Sequence, residues 1–142
     1  MVNRVQNGGF EQSTTNSTDP GPFWTGEDVS VESGNQLLGV RNIDLLQPSS
    51  FISQQLLPLV VGQFYTFKFA VANGNSSNGG GTLDVDITGN PTRSFDTDNI
   101  TNNPFIYYNF DFTAINTNTI LTITNNSSNF NIRLDEISVN LA

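Results

Sequence analysis

Alternation of apolar and polar residues is the dominant signal in this chain. From Phe64 to Val71 the period is two: Tyr65, Phe67, Phe69 and Val71 share one face, and Phe64, Thr66, Lys68 and Ala70 share the other. The same period runs from Thr82 to Thr88, with Leu83, Val85 and Ile87 on the inner side and Asp84 and Asp86 on the outer. It recurs from Phe105 to Phe112, where Ile106, Tyr108, Phe110 and Phe112 form the inner set and Phe105, Tyr107, Asn109 and Asp111 the outer. Shorter strands are predicted over 28–32, 36–41, 50–56 and 118–124. Residues 1–11 read as a first strand or extended arm, with Val2, Val5 and Phe10 as its apolar positions. The last strand, 130–141, changes phase: Phe130, Ile132 and Leu134 are in register, and Ile137, Val139 and Leu141 are one step out. A β-bulge at Asp135–Glu136 reconciles the two halves and re-aims a side chain at the sheet rim.

Between these runs lie segments of turn formers, at 12–22, 73–81, 91–103 and 125–129. No stretch has a helical apolar period of useful length. About eight to ten short strands joined by turn-rich loops predict an all-β fold, a two-sheet antiparallel β-sandwich. There is no internal repeat. Trp24, at the end of the first loop, is either a core plug or an exposed stacking platform.

Composition narrows the chemistry. The 142 residues fit one domain, 1–142, long enough to bury roughly two-thirds of its unfolded surface. With no cysteine, disulfides, thiolate zinc sites and cysteine nucleophiles are excluded. With no histidine, the commonest general base and every Ser-His-Asp arrangement are excluded. A formal charge of −8 with five basic residues opposes nucleic acid and anionic membrane surfaces. No apolar run approaches a membrane span. The start, Met1-Val2-Asn3-Arg4, leads into polar residues and does not read as a signal peptide. An exported parent protein longer than this chain remains compatible with that start. Tripeptides such as those at Asn16, Asn75 and Asn99 match the glycosylation acceptor pattern. In so Asn- and Ser-rich a chain such matches arise by chance.

Four landmarks then stand in order. They are Asn7-Gly8-Gly9-Phe10-Glu11, Gly62-Gln63-Phe64-Tyr65-Thr66-Phe67-Lys68-Phe69-Ala70, Tyr108 to Ala114, and Leu134-Asp135-Glu136-Ile137-Ser138-Val139. Together they resemble the galactose-binding-like β-jelly rolls, including carbohydrate-binding module families four, nine and twenty-two. The resemblance covers nearly the whole chain. It implies a jelly roll whose two chain ends close on each other around a structural Ca2+. Carried over by position, its ligands are the carboxylates of Glu11 and Asp135, with carbonyls near Gly9 and Ser33 to Asn35. Calcium takes six to eight oxygens, which carboxylates and carbonyls supply.

The resemblance also implies a polysaccharide or glycan partner, held on a sheet face or at loop tips by aromatic rings and polar side chains. The candidates are Trp24, Arg41, Lys68, Asp84, Asp86, Tyr107 and Asn109, with Thr66 beside them and Phe105 as a further exposed aromatic. The alternative is a solvated ion-pair cluster of no functional weight. Asp84 and Asp86, roughly 7 Å apart along one strand face, raise glycoside hydrolysis. Any strand alternating Asp with Val gives that spacing, and the expectation is no enzyme. The leading reading is a non-catalytic binding or adhesion module of a larger secreted or bacterial cell-surface protein. The other is an assembly domain at the end of a surface or spore-coat fibre, a homo-oligomer without sugar affinity.

Overall fold

The structure is a computed structural model describing residues 2–34, 37, 39–74, 80–102, 104–128 and 131–142. Ten strands run in chain order: β1 Thr25–Glu27, β2 Val29–Ser33, β3 Arg41–Leu45, β4 Phe51–Gln55, β5 Phe64–Asn73, β6 Gly81–Ile87, β7 Arg93–Asp96, β8 Ile106–Thr113, β9 Ile120–Ser127 and β10 Ile132–Leu141. They form two five-stranded sheets with orders β1-β4-β9-β6-β7 and β2-β3-β10-β5-β8, and every pairing is antiparallel. This is the two-sheet sandwich that the alternation predicts.

The core lies between the sheets. Tyr65, Phe67, Phe69 and Val71 of β5 are buried, as are Leu83, Val85 and Ile87 of β6 and Phe110 and Phe112 of β8. Aromatic rings cross between neighbours: Tyr65 lies 6.0 Å from Phe112, and Phe67 5.3 Å from Phe110. Such pairs add to what their burial contributes. The edge of β2 is covered by the first loop, where Asn16 N–H donates to Val31 O and Val31 N–H to Ser17 O.

Several expected boundaries move. Of the expected strand 36–41, positions 36 and 38 lie outside the described residues, and Leu37, Gly39 and Val40 are in no strand. The strand is the more polar Arg41–Leu45, where Ile43 and Leu45 reach the core. Ahead of it, Gly39 is left-handed (φ 67°) and Val40 is 54 % exposed. Within the polar stretch 91–103, β7 forms around Phe95, which packs on Phe69 and Tyr108. β1 is a three-residue edge pairing with β4 that its sequence does not announce. Residues 125–127, expected as a turn, extend β9. Of the expected first strand 1–11, the described residues 2–11 bury Val5 and Phe10 but form no strand, and Val2 and Leu141 are exposed. Phe130 lies outside the described residues.

The bulge is where the phase change puts it. The β10–β5 register shifts between Asp135 and Ser138, and Glu136 is left-handed (φ 49°). The N-terminal arm runs along this part of β10. Arg4 N–H donates to Val139 O at 2.8 Å, Ile137 N–H to Gly8 O at 3.0 Å, and Val139 N–H to Asn3 Oδ1 at 3.0 Å. Gly8 has to be glycine, since a β-carbon there would run into the Ile137 carbonyl. The two ends of the chain do meet.

Candidate functional site

The acids that close the chain hold a loop between them. Glu11 accepts from Val40 N–H at 3.0 and 3.1 Å and from Arg41 N–H at 2.8 Å. Asp135 is fully buried and accepts from Leu37 N–H at 2.9 Å through Oδ2 and from Glu136 N–H at 2.8 Å through Oδ1. Arg41 completes the junction, with Nε donating to Thr15 Oγ1 at 2.9 Å and Nη1 to Glu11 O at 3.3 Å. Among the described residues, no group of three or more acidic side chains is placed to hold a metal ion. Backbone N–H donors are aimed at both proposed ligands, where a calcium cage would set oxygens around the ion. A side chain at Gly9 would place its β-carbon 2.7 Å from Glu136 Oε2 and 3.8 Å from Asp135 Oδ1. Asn35, the remaining expected ligand, lies outside the described residues.

Beside this junction, on the outer face of the second sheet, is a cleft of about 230 Å³. Gly8, Gly9 and Ile137 form part of its wall, and Asn3, Lys68, Tyr107, Glu136 and Ser138 supply its polar groups. The bulge brings them together. It turns Asp135 into the interior, aims Glu136 into the cleft, and resumes the outer face at Ser138, opposite Lys68. Lys68 Nζ sits 4.3 Å from the centroid of the Tyr107 ring, a cation–π contact. Burial, then the negative charges of Glu136 and Asp135, push the Tyr107 hydroxyl above its usual range. Asn3 Oδ1 is taken by Val5 and Val139 N–H, so its amide NH2 is the end left for the cleft.

The expected ligand residues therefore do not converge on one face. Lys68, Tyr107 and Asn109 share the outer face of β5 and β8, with Asn109 opposite Lys68. Asp84 and Asp86 lie on the outer face of the other sheet, across the core. Asp84 accepts from Ser94 Oγ at 2.7 Å and Asn126 Nδ2 at 3.1 Å, and Asp86 accepts from Thr92 Oγ1. Burial pushes the Asp84 carboxyl up, but hydrogen bonds from Thr82, Ser94 and Asn126 outweigh it and hold it below the usual range. Trp24 is no stacking platform. It is buried, stacks on Phe10 at 5.6 Å, and donates from Nε1 to Asn7 O at 2.9 Å. Arg41 serves the loop junction and no sheet face. Glu136, Ser138 and Asn3 were missed. The phase change pointed to the bulge, but alternation alone does not say which of its two acids turns outward.

Two further features lie apart from the cleft. A mainly apolar hollow of about 290 Å³ sits at the open edge between β7 and β8, lined by Phe64, Pro91, Arg93, Phe110 and Phe112 among others. Arg93 covers the Phe110 ring at 4.4 Å. On the outer face of β3 and β10, Asp44 is 5 % exposed and its Oδ2 lies 3.9 Å from Arg133 Nε. Burial pushes the Asp44 carboxyl up to about 6; Arg133 opposes that shift and Glu32 adds to it.

No family model matches the chain, and no curated protein matches it. Solved structures do. A family 61 carbohydrate-binding module, TmCBM61, solved in complex with beta-1,4-galactotriose, superposes over the full length of both chains with a TM-score of 0.66 and 17% identity. This chain has the fold of the carbohydrate-binding-module jelly rolls. A family 35 module from Clostridium thermocellum covers 84% of this chain and 92% of its own, with a TM-score of 0.64 and 16% identity. The enzymatically active domain of tailspike protein 4 from Bacteriophage CBA120 matches 99% of this chain at 16% identity and a TM-score of 0.70. The jelly roll spans only 22% of that tailspike chain.

Proposed function

We propose that this jelly roll is a non-catalytic carbohydrate-binding module and that the cleft beside the bulge is its sugar site. The observation that carries the reading is the convergence of Tyr107, Lys68, Glu136, Ser138 and Asn3 around about 230 Å³. The cleft offers an ammonium, hydroxyls and an amide as donors, and a carboxylate as acceptor, which is the mixture a hydroxyl-rich ring needs. Its volume suits a short saccharide segment. Beside burial, the charges of Glu136 and Asp135 act on the Tyr107 hydroxyl, and the whole chain carries −8. The preferred ligand is therefore a neutral glycan, with uronate-rich chains disfavoured. Occurrence of this fold as part of the longer tailspike chain supports a module of a larger secreted or surface protein.

Glycan-array screening followed by titration tests this. The expected result is binding of a neutral saccharide, weakened about tenfold or more by Glu136→Gln or by Lys68→Met. Binding of uronate chains alone, or unchanged affinity in both variants, contradicts it. An assembly role is the second reading, favoured by the exposed Phe64 beside the hollow at the edge of β8. A stable oligomer in light scattering together with a silent array supports that reading instead.

A further inference from the structure

We propose that the closure of the chain ends is independent of metal, and that the backbone N–H groups of Val40 and Arg41 hold the Glu11 carboxylate where the resemblance implies a calcium ion. The first ground is the direction of the donors. Two successive backbone N–H groups, Val40 and Arg41, point at the Glu11 carboxylate. Successive amides of this kind form an anion-binding concavity. They turn the positive ends of their dipoles toward the spot, so a cation sharing that side of the carboxylate would be repelled.

The second ground is the fit of the loop around the carboxylate. Gly39, immediately before these amides, has φ 67°, and a β-carbon there would lie 2.6 Å from Glu11 Cδ and Oε2. The carboxylate fills the hollow that the missing side chain leaves. The third ground is the fate of the neighbouring oxygens. The Glu11 carbonyl and the Thr15 hydroxyl, which a hard cation would recruit, are bound by the Arg41 guanidinium. At the other end of the loop, both Asp135 oxygens accept backbone N–H groups in a buried setting. A calcium ion needs six to eight oxygens, and the Glu11 and Asp135 carboxylates, the Glu11 carbonyl and the Thr15 hydroxyl each already accept from a donor here.

The clasp has its own role beside the cleft. Asp135 receives the Glu136 N–H within the bulge, so the residue that anchors the loop also sets the backbone that aims Glu136. Closure and cleft geometry are coupled through one carboxylate, with no ion between them.

Thermal melting of the chelator-treated full chain, with and without millimolar calcium, tests the proposal. The expected result is one midpoint in both buffers, and a drop of roughly 5 °C in Glu11→Gln that is the same in both. A calcium-dependent rise in the wild type that disappears in Glu11→Gln overturns the proposal. A rise of equal size in both proteins places the ion elsewhere and supports it. If Glu11→Gln does not fold, calorimetric titration of the wild type with calcium chloride decides the matter, read with the amide resonances of Val40 and Arg41. Absence of saturable heat supports the proposal. One-to-one heat accompanied by shifts of those two amides overturns it, and heat that leaves them unmoved again places the ion elsewhere and supports it.

Discussion

Phe10→Ala is expected to lower the unfolding free energy by about 3–5 kcal/mol, with a melting midpoint lower by roughly 10–15 °C. Phe10 is fully buried and stacks on Trp24, whose indole N–H is tied to the carbonyl of Asn7. Its own carbonyl accepts Ser13 N–H, and its N–H donates to Asn7 O. Truncation opens a cavity under the N-terminal arm. It gains nothing back from the backbone, because Phe10 sits at φ 59° and alanine is as strained there. The loss is a large fraction of the 5–15 kcal/mol that a typical domain has. Urea denaturation checks it, with Phe10→Leu as the volume-conserving control expected to lose well under half as much. A loss below about 1 kcal/mol in Phe10→Ala would show that the arm is not packed as described.

Asp44→Asn should do the opposite and stabilise the fold at neutral pH. The folded carboxyl titrates near 6 against a usual 3.8, because burial outweighs the attraction of Arg133. A folded pKa raised above the unfolded one means that the native state binds the extra proton between those values. The contribution of Asp44 is therefore most favourable below about pH 4 and is lost as pH rises through about 6. A shift of this size corresponds to about 3 kcal/mol between the protonation states. Asparagine mimics the neutral form. Its expected gain near pH 7 is about 1–3 kcal/mol, fading to nothing near pH 4. Unfolding free energies of both proteins across that range measure it, and a loss of stability near neutral pH would mean that the pairing with Arg133 outweighs burial.

The architecture was legible because most of its strands bury one face and so obey a period of two. β5, β6 and β8 follow it without exception on their inner sides. Two strands hid. β7 has one apolar residue, Phe95, which works because Phe69 and Tyr108 meet it from the other sheet. β3 reads as polar because Asn42 and Asp44 are buried on the sheet's outer face, where the sequence rule expects solvent. That same exception produces the raised Asp44 carboxyl.

At the site, the sequence located the bulge and the meeting of the chain ends but misjudged their parts. Asp135 and Glu136 are adjacent acids, and only the left-handed turn at Glu136 decides which enters the cleft. Lys68 and Tyr107 were placed on one face by alternation alone. Asp84 and Asp86 were grouped with them because alternation assigns residues to an outer face without saying to which sheet. The apolar residues at 37–40 resemble a strand, and an apolar pattern carries no sign that the N–H groups of Leu37 and Val40 turn to the carboxylates of Asp135 and Glu11.

The proposed sugar site is the cleft at the bulge. Titrating the isotope-labelled chain with a neutral oligosaccharide chosen by array, and following backbone amide resonances, tests it most directly. The expected result is saturable shifts concentrated at Gly8, Gly9, Lys68, Tyr107, Glu136 and Ser138, with Asp84, Asp86 and the Phe64–Arg93 hollow unmoved. Shifts centred on that hollow or on β6, with the cleft silent, would contradict it.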